Sequence, residues 1–139
     1  MQTETLKKSW YTIFNPTSGG GMNKKYISHI LSYLDQYNIP YSFIETQYPH
    51  HEEMLVEKAI NQGYSKFICI GGDGTIHHMI NGIMKQQYID SNQIQVAVIP
   101  TGTGNDWIKN YQIPTDPEKA IQLIKKNKSI YQDIGKIHL

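Results

Sequence analysis

One cysteine, Cys69, is all this sequence holds, so no internal disulfide can staple the fold. Standing within the apolar run Phe67–Ile70, it reads as core packing rather than as a reactive thiol. Charge of one sign is equally lacking: 13 Lys and Arg stand against 12 Asp and Glu, a formal net charge of +1. A nucleic-acid partner, which needs a basic face to displace counterions, is therefore not expected. No apolar run approaches the ~20 residues of a membrane span, and the N-terminus lacks the apolar core of a signal peptide. A reducing cytoplasm is the default location. No internal repeat or low-complexity tract is present. What remains is a chain of 139 residues with 39% apolar content, one domain able to bury roughly two-thirds of its unfolded surface.

Strand-like and helix-like patterns alternate along it. Trp10–Phe14, Tyr41–Thr46, Lys66–Ile70 and Gln95–Ile99 are short β-prone runs. Between them, Ile27, Ile30, Leu31 and Leu34 recur at helical spacing, with Asn23 as N-cap and Pro40 beyond the end. Leu55, Val56, Ala59 and Ile60 do the same from about Glu52 to Gln62, with Gly63 closing the helix. Ile76, Met79, Ile80 and Ile83 form a third stripe, and Ala120, Ile121 and Ile124 a fourth. Asp116-Pro117 supplies the fourth with an N-cap and a proline at its first position. Repeated strand–helix units predict an α/β fold with a mostly parallel, twisted sheet covered on both faces, a Rossmann-like three-layer αβα arrangement. Ligands on such sheets sit beyond the carboxyl ends of the strands. The loops there, 15–21, 46–51, 71–75 and 100–106, should converge on one edge.

The sharpest of these loops is Gly71-Gly72-Asp73-Gly74-Thr75, between the third strand and the third helix. A strand that stops on glycines and restarts as a helix presents backbone N–H groups and the positive end of the helix dipole, which suit a phosphate. The familiar phosphate motifs fail, however. There is no Gly-x-x-x-x-Gly-Lys-Ser/Thr, and the third glycine of Gly-x-Gly-x-x-Gly falls on His77 or Trp107. With no lysine in either glycine loop, charge compensation falls to helix N-termini, backbone N–H groups and a divalent metal. Asp73 has two readings: Mg²⁺-linked positioning of a phosphate, or an Asx-type turn that only shapes the loop. Asp106 divides the same way, between chemistry and N-capping. Asn15 and Ser18 suit a phosphate, a ribose or their own turn. His50-His51-Glu52-Glu53 invites a zinc reading, but adjacent residues on a helix point apart. His77 and His78 share no face and read as solvated, so no residue is assigned to a metal.

Three segments in this order resemble a known family, the diacylglycerol kinase catalytic domain of bacterial diacylglycerol kinases, related lipid kinases, sphingosine kinases and ceramide kinases. They are Asn15-Pro16-Thr17-Ser18-Gly19; Gly71-Gly72-Asp73-Gly74-Thr75, continued to Asn81-Gly82; and Pro100-Thr101-Gly102-Thr103-Gly104-Asn105-Asp106-Trp107. Thr46 to Pro49 with His51 matches a weaker signature. The resemblance implies nucleotide contacts at Asn15, Pro16, Thr17, Ser18, Gly19, Thr46, Gly72, Asp73, Gly74, Thr75 and Thr103. It implies that Asp73 is needed for activity and that Asp106 supports the same network. ATP and Mg²⁺ are the implied cofactors and a membrane lipid such as diacylglycerol the implied substrate. Peripheral membrane contact and homo-oligomerisation are both compatible with it. The chain departs from the family pattern at His78, often Glu, at His50, usually glycine, and at Lys109, usually arginine.

Ser129–Ile134 reads as a further strand, after which the chain stops at Leu139. The expectation is a fragment: residues 1–134 form the nucleotide-binding domain, and residues 135–139 begin a second, β-rich domain implied to carry the general base. Two other readings stay open. One is an NAD kinase-like or phosphofructokinase-like enzyme, which also uses a Gly-Gly-Asp-Gly turn, although the loop 101–107 fits lipid kinases better. The other is a non-catalytic nucleotide-sensing module.

Overall fold

β-Branched and aromatic side chains set the strands, because they pack well on a pleated surface buried from both sides. In a computed structural model, which describes residues 7–16, 24–101, 114 and 116–126, these runs become β1 (Trp10–Phe14), β2 (Tyr41–Glu45), β3 (Lys66–Gly71) and β4 (Gln95–Pro100). The helices between and after them are α1 (Lys24–Gln36), α2 (His51–Asn61), α3 (Asp73–Lys85) and α4 (Pro117–Lys125). A 3-10 turn, Ser91–Gln93, precedes β4 and was not legible as an element.

The four described strands pair in parallel, in the order β2-β1-β3-β4. Ile13 lies opposite Ile44 on one side and Cys69 on the other, so β1 is central and all five of its residues are buried. The strand period of two then divides the core. Tyr11, Ile13, Phe67, Cys69, Val96 and Val98 pack on one face with the stripes of α2 and α3. Trp10, Phe14, Ile68, Ile70, Ala97 and Ile99 pack on the other with α1 and α4. This is the expected three-layer αβα sandwich. Burial also pushes the Cys69 thiol far above its usual range, consistent with a packing role.

The connections explain where a site must form. From β1 the chain crosses outward to β2 through α1 on one face. It then returns over β1 to β3 through α2 on the opposite face, as right-handed crossovers demand when direction reverses. The reversal leaves a crevice between the ends of β1 and β3.

Local signals hold at the helix ends. Gly63 closes α2 at φ 104°, its N–H donating to Ile60 O at 3.0 Å. Asp116 caps α4, its Oδ2 accepting from the Lys119 N–H at 3.0 Å, with Pro117 at the first position. Helix α2 starts one residue earlier than expected, at His51, and ends at Asn61. Strand β2 ends one residue early, but the Thr46 N–H still donates to Phe14 O at 2.9 Å, extending the ladder toward the crevice. Asn23 and the strand expected at 129–134 lie outside the described residues.

Candidate functional site

A cleft of about 700 Å³ occupies the crevice at the carboxyl edge of the sheet. The segment after β1 contributes Asn15 and Pro16, the loop after β2 contributes Thr46 to His50, and the turn after β3 contributes Gly72 to Thr75. Asn15, Pro16, Thr46, Gly72, Asp73, Gly74 and Thr75, all expected as nucleotide contacts, are thus brought together. Thr17, Ser18, Gly19, Thr103 and Asp106 lie outside the described residues.

Glycines shape the floor of this cleft. A Cβ on Gly71 would sit 2.8 Å from Thr75 Oγ1 and 2.9 Å from Thr75 Cβ, so only glycine lets the first turn of α3 fold back onto the strand end. Thr75 is buried there. Gly72 is the N-cap of α3 in extended conformation and offers no side chain to cap it, so the helix's N-terminal turn opens on the cleft. At Gly74 an added Cβ would meet nothing within 4 Å, which leaves the backbone open to close approach by a ligand. Asp73 is the first residue of α3, where the helix dipole favours its carboxylate.

The loop after β2 is pinned by His51, which is buried and accepts from the Gln47 N–H through Nδ1 at 3.1 Å. Tyr48 stacks on that imidazole at 4.1 Å between centroids. Glu52 also lines the cleft although only 2% exposed. Its signal was present in the sequence: Glu52 precedes Leu55, Val56 and Ala59 by helical intervals, placing an acid on a buried stripe.

Helices α2 and α3 meet behind the cleft around Glu53. Lys85 Nζ donates to Glu53 Oε1 at 2.7 Å, and Asn81 Nδ2 to Oε2 at 3.4 Å. His78 Nδ1 lies 3.2 Å from the same Oε2. His78, expected to be solvated, is instead partly buried between the helices and lines the cleft. Comparing neighbours along one helix could not reveal this, because its partner stands on another. The Lys85 hydrogen bond, aided by His78 and Asn81 against some burial, lowers the Glu53 carboxyl from an ordinary 4.5 to about 2. The stabilisation from this ionised group is complete above pH about 4.5 and is lost as pH falls toward 2. Glu53→Gln should therefore flatten the acid limb of stability over that window while lowering stability at neutral pH. Urea midpoints measured across the window on metal-free protein check it, and an unchanged acid slope would contradict it.

The chain matches the diacylglycerol kinase catalytic domain family over residues 9–137. The diacylglycerol kinase of Staphylococcus carnosus (strain TM300) is 31% identical over 133 residues, covering 96% of this chain and 42% of that protein. The diacylglycerol kinase of Staphylococcus aureus (strain JH9) is 32% identical over the same length, covering 41% of its own. The crystal structure of a diacylglycerol kinase from Bacillus anthracis str. Sterne shares the fold with a TM-score of 0.73 at 23% identity, over 89% of this chain and 42% of that one. The chain spans about two-fifths of the length of these relatives. Because the family match takes in every described strand and helix, and with them every wall of the cleft, this chain belongs to the diacylglycerol kinase catalytic domain family.

Proposed function

We propose that this chain supplies the nucleotide-binding half of an ATP-dependent lipid kinase, which transfers the γ-phosphate to the hydroxyl of a lipid such as diacylglycerol. The observation that carries the reading is the N-terminus of α3, which starts on a glycine and opens on the cleft at Gly72 to Thr75, in a chain of this family. A metal-bound triphosphate fits this lining: the backbone N–H groups of the first turn and a glycine whose missing Cβ leaves room face the phosphates, and two carboxylates, Asp73 and Glu52, stand along the cleft for the cation. Those carboxylates suit a hard cation with oxygen ligands, and Mg²⁺, when bound, neutralises phosphate charge. The residues themselves orient. Asn15 and Thr46 bound the cleft opposite the α3 turn, and buried Thr75 fixes the turn against β3. Positioning of this kind is most of what phosphoryl transfer asks of a protein.

Residues 1–134 form the nucleotide domain in this reading, and 135–139 lead into a second, β-rich domain that supplies the general base and part of the lipid pocket. The lipid comes from a membrane surface, so the complete protein contacts one peripherally. No described helix is long and apolar enough to cross it. Taken alone, the chain binds nucleotide weakly and transfers phosphate negligibly.

An NMR titration of this chain with Mg-ADP and, separately, NAD tests the reading. Amide shifts centred on Gly72 to Thr75 are expected with Mg-ADP. A preferential response to NAD would replace it with an NAD kinase-like function, and silence toward both would refute nucleotide binding by the chain alone.

A further inference from the structure

We propose that His50, Glu53 and His78 form a binding site for a zinc-class transition-metal ion at the rim of the cleft. One ligand atom from each residue lies within 4.8 Å of the other two. Ligands of a four-coordinate ion at ~2.0–2.2 Å stand roughly 3.4 Å apart. The 3.2 Å between His78 Nδ1 and Glu53 Oε2 already has that spacing. The widest spacing in the cluster must close by at most a little over about 1 Å, and His50 is placed to supply that movement. It is the exposed member, sits just before the first turn of α2 at φ 68°, and its ring lies 4.0 Å from that of His78.

The surroundings suit a ligating carboxylate. Such groups are usually held by further hydrogen bonds, and Lys85 holds Glu53 through the other oxygen, Oε1. Asn81 donates to Oε2 at 3.4 Å and steadies it further. The Lys85 side chain is 62% exposed, so solvent screens the ammonium that shares this carboxylate. Two imidazole nitrogens and one carboxylate oxygen select borderline ions such as Zn²⁺ or Co²⁺ over Mg²⁺, which demands oxygen. Three protein ligands leave a fourth position for water. His50 and His78, 28 positions apart in sequence, are brought together by the packing of α2 on α3. The site shares the cleft but uses none of the residues Gly72 to Thr75, so its test needs no nucleotide.

The test is a Co²⁺ titration of the chelator-stripped chain, followed by Zn²⁺ displacement, with a large excess of Mg²⁺ present. One Co²⁺ per chain with the visible absorption of four-coordinate cobalt is expected, displaced by Zn²⁺ and unmoved by Mg²⁺. His50→Ala, at an exposed position, and His78→Gln should each weaken binding at least about tenfold. His77→Gln, beside the cluster but outside it, should leave binding unchanged, and circular dichroism confirms that each variant is folded. Absence of a Co²⁺ complex, or a complex equally tight in His50→Ala, would overturn the site. So would one lost equally in His77→Gln.

Discussion

Asp73→Ala is expected to weaken Mg-ADP binding to this chain and, with the remainder of the enzyme present, to lower phosphate transfer by about 10²–10³-fold. The physical reason lies in the sign of its charge. A carboxylate about 4 Å from a phosphate oxygen repels it by ~1 kcal/mol in water and ~4 kcal/mol at an effective dielectric of about 20. Asp73, lining the cleft beside the α3 turn, would oppose nucleotide unless a divalent ion stood between them. The metal-linked role therefore predicts a reversal: with Mg²⁺ present Asp73→Ala binds ADP more weakly, and with Mg²⁺ removed it binds ADP a few-fold more tightly. Asp73→Asn separates this from a turn-shaping role, since Asn retains the Asx hydrogen bond and loses the charge. If Asp73→Asn matched wild type in turnover and Mg²⁺ dependence, Asp73 would be a structural residue of the loop. Calorimetry with and without Mg²⁺, beside turnover of the full-length enzyme, reads all of these outcomes.

Much of this site was legible because its signals are local. The stop of β3 at Gly71, the restart at Asp73 and the apolar stripe Ile76, Met79, Ile80 and Ile83 all lie within one strand–turn–helix unit. The period-two division of the strands was not visible as alternation, because both faces of Trp10–Phe14 are buried and both are apolar. Sheet order was not legible either, since it depends on which strands pair across long sequence separations. The cluster at Glu53 escaped for the same reason. His50 and Glu53 stand at the N-cap and in the first turn of α2, but His78, Asn81 and Lys85 come from α3, and only helix packing joins the two sets. Glu52 failed differently: its helical spacing was there to be read, but an acid on a buried stripe gains a purpose only beside a cleft.

Gly82→Ala is expected to destabilise the chain by about 1–3 kcal/mol, a fall in Tm of roughly 5–10 °C. Two effects oppose each other. Alanine in a helix interior is favoured over glycine by about 1 kcal/mol, which alone predicts stabilisation. Against it, a Cβ on Gly82 would lie 2.7 Å from the Glu53 carbonyl oxygen and 3.1 Å from both Glu53 Cα and Val56 Cβ. Two of those three atoms are backbone and cannot rotate aside, so α2 and α3 must part, and the loss of close packing between them outweighs the propensity gain. Separation also draws Glu53 away from Lys85 and His78, so the depressed Glu53 carboxyl should move back toward its ordinary value in the same variant. Gly74→Ala is the matching control on the same helix. Its Cβ meets nothing within 4 Å, so stability should hold or rise slightly while Mg-ADP binding falls, because the space it enters is the cleft. Thermal unfolding of both variants separates the two uses of glycine. Gly82→Ala no less stable than wild type would deny the close helix contact, and Gly74→Ala with undiminished Mg-ADP affinity would remove the ligand from the α3 turn.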